Sequence, residues 1–199
     1  MIEGEPLFEV RPLAWDPPAA ECFDALLVGS ANAIRHAGDA LSSFLDLPVH
    51  AVGESTAQAA RQAGFTVPRI GQGGLQRVLS TQREPTRYLR LTGEAHVSLK
   101  ARAGQKITTR IVYESAALPM PAAVAALLRP GALVLLHSAE AARHFGAECD
   151  RLGIDRSSIQ LAALGSRIAA AAGTGWQTVD CPLRPDEDAL LALLAEMRA

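Results

Sequence analysis

Leu26-Leu27-Val28-Gly29-Ser30-Ala31-Asn32-Ala33-Ile34-Arg35-His36-Ala37-Gly38 returns later in the chain as Val134-Leu135-Leu136-His137-Ser138-Ala139-Glu140-Ala141-Ala142-Arg143-His144-Phe145-Gly146. Ser, two Ala, Arg, His and Gly fall at matching places in the two copies, which marks an internal duplication. Each copy reads as a compact apolar run, a serine and a helix-forming stretch, that is, a buried strand, an N-cap and a helix. The phrase after each copy repeats too: Val49-His50-Ala51-Val52-Gly53-Glu54-Ser55-Thr56-Ala57 corresponds to Leu161-Ala162-Ala163-Leu164-Gly165-Ser166-Arg167-Ile168-Ala169. The expectation is two similar lobes whose strand-to-helix turns surround one cleft.

Working outward, Asp24 to Gly29 reads as a strand and Ser30 caps a helix that ends near Gly38. Val49 to Val52 is the next strand, and Gly53-Glu54-Ser55-Thr56 opens an Ala-rich helix through Ala63, stopped by Gly64. Thr66 to Ile70 and Arg87 to Leu91 read as strands, with a helix start at Gly73 to Leu79. Lys106 to Glu114 alternates and is rich in β-branched residues, which predicts a sheet-edge strand or a linker. From Pro119 the pattern resumes: helix to Leu128, strand Leu133 to Leu136, helix to Leu152, strand Ile159 to Leu164, helix to Ala172, strand Trp176 to Asp180, terminal helix from Asp186. Strands alternating with helices predict an α/β fold with mostly parallel sheets flanked by helices. Residues 11–115 form the first lobe on this reading. Residues 1–10 and 116–199 form the second, whose sheet is incomplete unless the stretch through Val10 adds a strand to it. The connections at Val10 to Pro12 and Ser115 to Pro119 form an exposed two-segment linker, so ligand is expected to close the lobes.

Composition narrows the function classes. With 199 residues, 49% of them hydrophobic, the chain can bury a substantial core. A formal charge of −2 provides no general basic field, which argues against nucleic acid as a partner. Cys22, Cys149 and Cys181 are odd in number and in no metal-ligand spacing, so they read as small buried hydrophobes in a reducing compartment. No signal peptide and no apolar run of about 18 residues is evident, so neither a leader nor a membrane span is expected. A cytoplasmic protein is the expectation. No nucleophile elbow, HExxH or Walker pattern occurs, and Gly71-Gln72-Gly73-Gly74 lacks the lysine of a phosphate loop.

In open α/β sheets, ligands sit beyond the carboxyl ends of the strands. Those ends carry Ser30, Ser55, Thr56, Thr92, Gly93, Ser138 and Ser166. Their hydroxyls and the helix N–H groups beside them suit a carboxylate, although Ser and Thr also serve there as plain caps. Arg87, Arg90, Lys100, Arg102, Lys106 and Arg110 make one stretch locally basic, a pattern that solvated faces also produce. His36 and His144 match through the duplication, each read as lying well into a helix.

The ordered set Leu27-Val28-Gly29-Ser30-Ala31-Asn32-Ala33, Ala51-Val52-Gly53-Glu54-Ser55-Thr56-Ala57, Ile111-Val112-Tyr113-Glu114, Leu135-Leu136-His137-Ser138 and Ala163-Leu164-Gly165-Ser166 resembles the uroporphyrinogen-III synthase family over about residues 7 to 195. The resemblance implies a two-lobed fold in which the middle of the chain builds one lobe and its two ends build the other. It also implies a cofactor-independent lyase; a monomer acting on a small-molecule substrate is the expectation. In that reaction linear hydroxymethylbilane loses its hydroxyl as water, its terminal pyrrole ring is inverted, and the macrocycle closes. Tyr113 stands where the family carries its functionally important tyrosine, and is expected to be catalytic. A phenol, protonated at neutral pH, can hydrogen-bond a departing hydroxyl. Gly73 and Gly74 align with a family loop bordering the cleft.

The chain departs from the family pattern twice. The family's opening strand and helix are not matched ahead of Ile2, which predicts a second lobe lacking its first βα unit and exposing a sheet edge. Arg167 and Ile168 follow Gly165-Ser166, where the family often has threonine; Arg167 can pair with a carboxylate there. These departures motivate an alternative, a noncatalytic two-lobed module that binds a tetrapyrrole or another polyanion.

Overall fold

A computed structural model describes residues 5–197. The chain divides into two compact units, a continuous one, Glu9–Ala116, and one built from residues 5–8 and 117–197.

The larger unit is organised on a six-stranded sheet. Its strands are β1 (Phe8–Pro12), β2 (Ala25–Val28), β3 (Val49–Val52), β4 (Arg69–Gly71), β5 (Thr86–Gly93) and β6 (Gln105–Ala117), in the order β1-β6-β5-β2-β3-β4. From β6 to β4 every pairing is parallel. Central strands of such a sheet are covered on both faces, so they read as unbroken apolar runs, and all four residues of β2 are buried. Side chains alternate across the sheet. Leu26, Val28, Val49, Ala51, Leu89 and Leu91 pack in one cluster with residues of α1 (Ala31–Arg35) and α2 (Glu54–Gln62). Ala25, Leu27 and Tyr88 face the other way, against Val78 and Leu79 of α3 (Leu75–Thr81). Trp15 closes the first cluster, stacking on Phe44 and donating its indole N–H to Ala37 O at 2.8 Å.

Two sequence expectations are corrected here. Lys106 to Glu114 is neither edge nor linker, because β6 lies between β1 and β5; its β-branched residues suit a strand paired on both sides. The N-terminal strand joins the larger unit's sheet, not that of the second lobe. Leu118 N–H donates to Leu7 O and Leu13 N–H to Val112 O, the pattern of an antiparallel pair. Val10 to Pro12 and Ser115 to Ala117 are segments of paired strands, and Arg11, Pro12, Ser115 and Ala117 in them are exposed, as expected.

The smaller unit holds a three-stranded parallel sheet, β7 (Ala132–Leu136), β8 (Ile159–Ala163) and β9 (Thr178–Asp180), with β8 central. Val134, Leu136, Ile159, Leu161 and Ala163 meet α4 (Ala122–Leu128), α5 (Ala139–Arg151) and α6 (Ser166–Ala171) on one face. Leu133, Leu135 and Ala162 meet Leu190 and Leu194 of α7 (Glu187–Met197) on the other. Trp176 stacks on Phe145, donates to Ala172 O at 2.9 Å, and carries the Arg156 guanidinium 4.8 Å above its ring. Of the cysteines, Cys149 alone is fully buried, and burial pushes its thiol up to about 11. Cys22 is exposed and Cys181 half-buried, so the expectation of three buried thiols fails.

Glu148 is the charged group on which this unit's helix packing turns. It is 6% exposed, accepts from Arg151 through both oxygens at 2.7 and 2.6 Å, and accepts the Met120 N–H at 2.5 Å, tying the start of α4 to α5. The Arg151 bonds, then the Met120 N–H, hold its carboxyl at about 2. The unfolded chain takes up this proton first, so the contribution is complete above about pH 4.5 and is lost as pH falls through about 2. Glu148→Gln should cost about 1–3 kcal/mol at neutral pH and flatten the fall in stability over that acid window, as measured by urea denaturation across pH.

Candidate functional site

The duplicated phrase folds alike in both units at its first turn. Ser30 has φ −148° and ψ 138°, and its Oγ accepts the Asn32 N–H at 3.2 Å. Ser138 has φ −143° and ψ 150°, and its Oγ accepts the Ala141 N–H at 3.0 Å. Beyond that turn the copies diverge. Helix α1 stops at Arg35, with Gly38 at φ +68°, whereas Gly146 lies buried within the longer α5. His36 is consequently the C-cap of α1 and not a residue well inside a helix.

Parallel pairing brings the candidate residues of the larger unit to one rim, the carboxyl edge of its sheet. Adjacent strands there are about 4.8 Å apart. Ser30 follows β2. Gly53 follows β3 with φ +77°, a conformation that favours glycine, and caps the start of α2, where Ser55 is exposed and Thr56 is 2% exposed. Thr92 and Gly93 end β5, and β6 passes beside them through a bulge that sets Tyr113 opposite Gly93.

That bulge sets a close contact on the rim. A Cβ on Gly93 would stand 2.6 Å from Tyr113 Cζ and 3.0 Å from its Oη, so the ring lies over the space that only glycine leaves. The ring is half-buried against the larger unit's core, and the His36 ring lies 6.3 Å from it, tilted by 40°. Glu94 N–H donates to Tyr113 O at 3.0 Å. His96 Nδ1 lies 2.8 Å from Gly93 O and 2.9 Å from Glu94 O, and two carbonyl neighbours require the proton on that nitrogen. Among the described residues the Tyr113 hydroxyl has no hydrogen-bond partner, which leaves it able to donate to a ligand.

In the smaller unit, Ser138 follows β7, and Ser166 follows β8 as the first residue of α6, exposed. Ser166, Arg167, Ile168, Leu164, Cys181 and Leu183 line a hollow of about 550 Å³ at the ends of β8 and β9. Its lining is apolar apart from a few groups. Arg167, exposed, has no hydrogen-bond partner among the described residues. His137 Nε2 and Glu187 Oε2 are 3.1 Å apart at the end of β7.

Most of the basic stretch is already engaged elsewhere. Arg87 forms a two-pronged pair with Asp24 across β2 and β5, at 2.7 Å at its shortest. Arg90 is 4% exposed and donates to Val97 O, Arg102 donates to Ser80 O, and Arg110 donates to Asp16 O. His144 donates through Nε2 to Leu118 O at 2.7 Å and meets Phe8 edge-on, a packing role. His36 and His96 are the rim residues that sequence reasoning missed. The duplication pointed at His36, but its nearness to Tyr113 depends on the early end of α1. No group of three or more His, Cys, Asp and Glu among the described residues can hold a metal ion.

The Gly93 and Tyr113 contact is testable by a double-mutant cycle. Gly93→Ala should cost about 1–3 kcal/mol, measured by chemical denaturation, and displace the Tyr113 ring, seen in its NMR signals. Most of that cost should vanish in a Tyr113→Ala background.

The family model described as uroporphyrinogen-III synthase HemD matches residues 4–192. Among solved structures, the chain is similar to uroporphyrinogen-III synthetase from Helicobacter pylori 26695, with 21% identity, TM-score 0.64, and 96% of this chain and 91% of that one covered. It also matches uroporphyrinogen III synthase from Thermus thermophilus at 15% identity and TM-score 0.44, over 96% of this chain and 89% of that one. No curated protein matches. The structural likeness to the Helicobacter pylori protein extends to the fold, and the family match spans both repeated phrases and the Tyr113 segment, so the chain belongs to the uroporphyrinogen-III synthase family.

Proposed function

We propose that this chain cyclises hydroxymethylbilane to uroporphyrinogen III, releasing water and inverting the terminal pyrrole ring, as a step in tetrapyrrole and heme biosynthesis. The observation that carries the proposal to particular residues is the Tyr113 ring over Gly93 on the rim, its hydroxyl without a partner among the described residues, within a chain matched to the family over residues 4–192.

The chemistry asks mainly for position. Once the substrate's hydroxyl leaves as water, the chain of pyrroles can close by itself, so the enzyme's task is to fold it and select which ring carbon is attacked. Holding reacting groups in register supplies several kcal/mol without a strong acid or base. Tyr113 is proposed to donate a hydrogen bond to the departing hydroxyl, which stabilises the charge developing on that oxygen. Ser30, Ser55, Thr56, Thr92, Gly93, Ser138 and Ser166 are proposed to hold the substrate's carboxylates. Thr56 serves through its backbone N–H at the start of α2, because its side chain is buried. Ser30 and Ser138 already accept from their own helices, and each retains its O–H to donate to a carboxylate. Arg167 adds a cation at the smaller unit's rim.

The setting proposed is a cytoplasmic monomer. Three unpaired thiols fit a reducing compartment, and no helix among the described residues is long and apolar enough to cross a membrane. Light scattering of the purified chain should return one chain's mass; a dimer mass would overturn the monomer.

The decisive experiment supplies hydroxymethylbilane generated in situ and separates the product isomers. Isomer III, formed faster than spontaneous closure, is expected; isomer I alone, at the uncatalysed rate, would sink the proposal. Tyr113→Phe keeps the ring over Gly93 and removes only the hydroxyl, and should lower kcat by roughly 10²-fold with little change in folding. Unchanged turnover would remove Tyr113 from the chemistry.

A further inference from the structure

Along the outer edge of the larger unit's sheet, β4 and α3 enclose a hollow of about 450 Å³. Arg69, Ile70, Gln72, Arg77, Val78 and Thr81 are among its lining residues. The two elements meet very closely at Gly71, where a Cβ would come within 2.3 Å of Val78 Cγ2, so β4 and α3 are locked side by side and the hollow has a fixed floor. Arg77 lies back along the Gly71 to Gly74 loop, with Cδ and Nη1 at 3.7 and 3.8 Å from the Cβ position of Gly73.

Two arginines without a carboxylate partner line this one hollow. Arg11, Arg61, Arg87, Arg151 and Arg156 each have a carboxylate partner. Neither the Arg69 nor the Arg77 guanidinium has a hydrogen bond or ion pair among the described residues, and no carboxylate lines the hollow. Two unneutralised cations lining one concave, polar surface repel each other and focus a positive field into it. An oxyanion relieves that repulsion, and a guanidinium fork matches the spacing of two oxygens on a carboxylate or phosphate. The field already reaches inward: the Arg69 charge, second to burial, helps hold the neighbouring His50 imidazole below its usual value.

We propose that Arg69 and Arg77, on either side of the hollow between β4 and α3, form a binding site for a multiply charged oxyanion group, carboxylate or phosphate. Gln72, also in the lining, supplies an amide donor. None of Arg69, Gln72 and Arg77 is among the residues assigned to the substrate above, and isomer formation tests the synthase reading separately from anion binding here.

The test titrates the full chain with inorganic phosphate and, separately, with propane-1,2,3-tricarboxylate, at constant ionic strength made up with sodium chloride. The backbone amides of residues 71 to 74 are followed by NMR. Saturable shifts are expected with at least one of these anions, and the tighter ligand identifies the source of the oxyanion. Affinity should fall at least tenfold in Arg69→Gln and in Arg77→Gln, with spectra otherwise preserved, and Arg77→Lys should recover part of it. Shifts that do not saturate with either anion, that sodium chloride reproduces, or that persist undiminished in either glutamine variant overturn the site.

Discussion

Parallel pairing of buried strands is the constraint on which the rest of the larger unit depends. Strands that run the same way end at the same edge, and every connection must travel back through a helix or loop to start the next one. The polar turns after β2, β3 and β5 are thereby gathered on one rim, although they lie far apart in sequence. Leu26 to Val28, flanked on both sides by strands and covered on both faces, pins the register from which Ser30, Gly53 and Gly93 take their places. A chain segment with this much buried apolar surface tolerates little slippage, because sliding by one residue would send each side chain to the opposite face.

Tyr113 is placed by a different device. Its strand would run past Gly93 in regular register but for the bulge between Thr92 and Gly93, which re-aims the side chain over the one residue without a Cβ. Bulges of this kind add local twist and redirect a side chain near a sheet margin. The hydroxyl is held by packing of the ring rather than by a hydrogen bond, so its direction is set while its donor remains available.

Sequence and structure agree best where the determinants are local. Ser30 and Ser138 are read as caps from their own neighbours, and both adopt the same backbone conformation with the same type of hydrogen bond. The Gly64 stop of the Ala-rich helix was legible for the same reason, with φ +94° one residue beyond its C-cap. Long-range pairing was not legible. The alternation in Lys106 to Glu114 marks a strand but carries no information about how many neighbours it has, and five residues, Phe8–Pro12, cannot name the sheet they join. The nearness of His36 to Tyr113 was hidden too, since it depends on a helix that ends after Arg35 while its duplicate continues to Arg151. Arginines were similarly opaque: Arg90 and Arg102 look like free surface charges in sequence, and backbone carbonyls occupy both.

The two indoles of this chain fall one to each unit. Trp15 is anchored by Ala37 O and Phe44, and Trp176 by Ala172 O, Phe145 and the overlying Arg156. Their surroundings differ in a way that light can read: one indole has an aromatic neighbour alone, the other also has a guanidinium charge whose field shifts the emission of the ring beneath it. The protein thus carries two native optical labels, each tied to the core of a single unit. Replacing either indole by phenylalanine would leave a chain whose emission reports the unfolding of one sheet and is silent about the other.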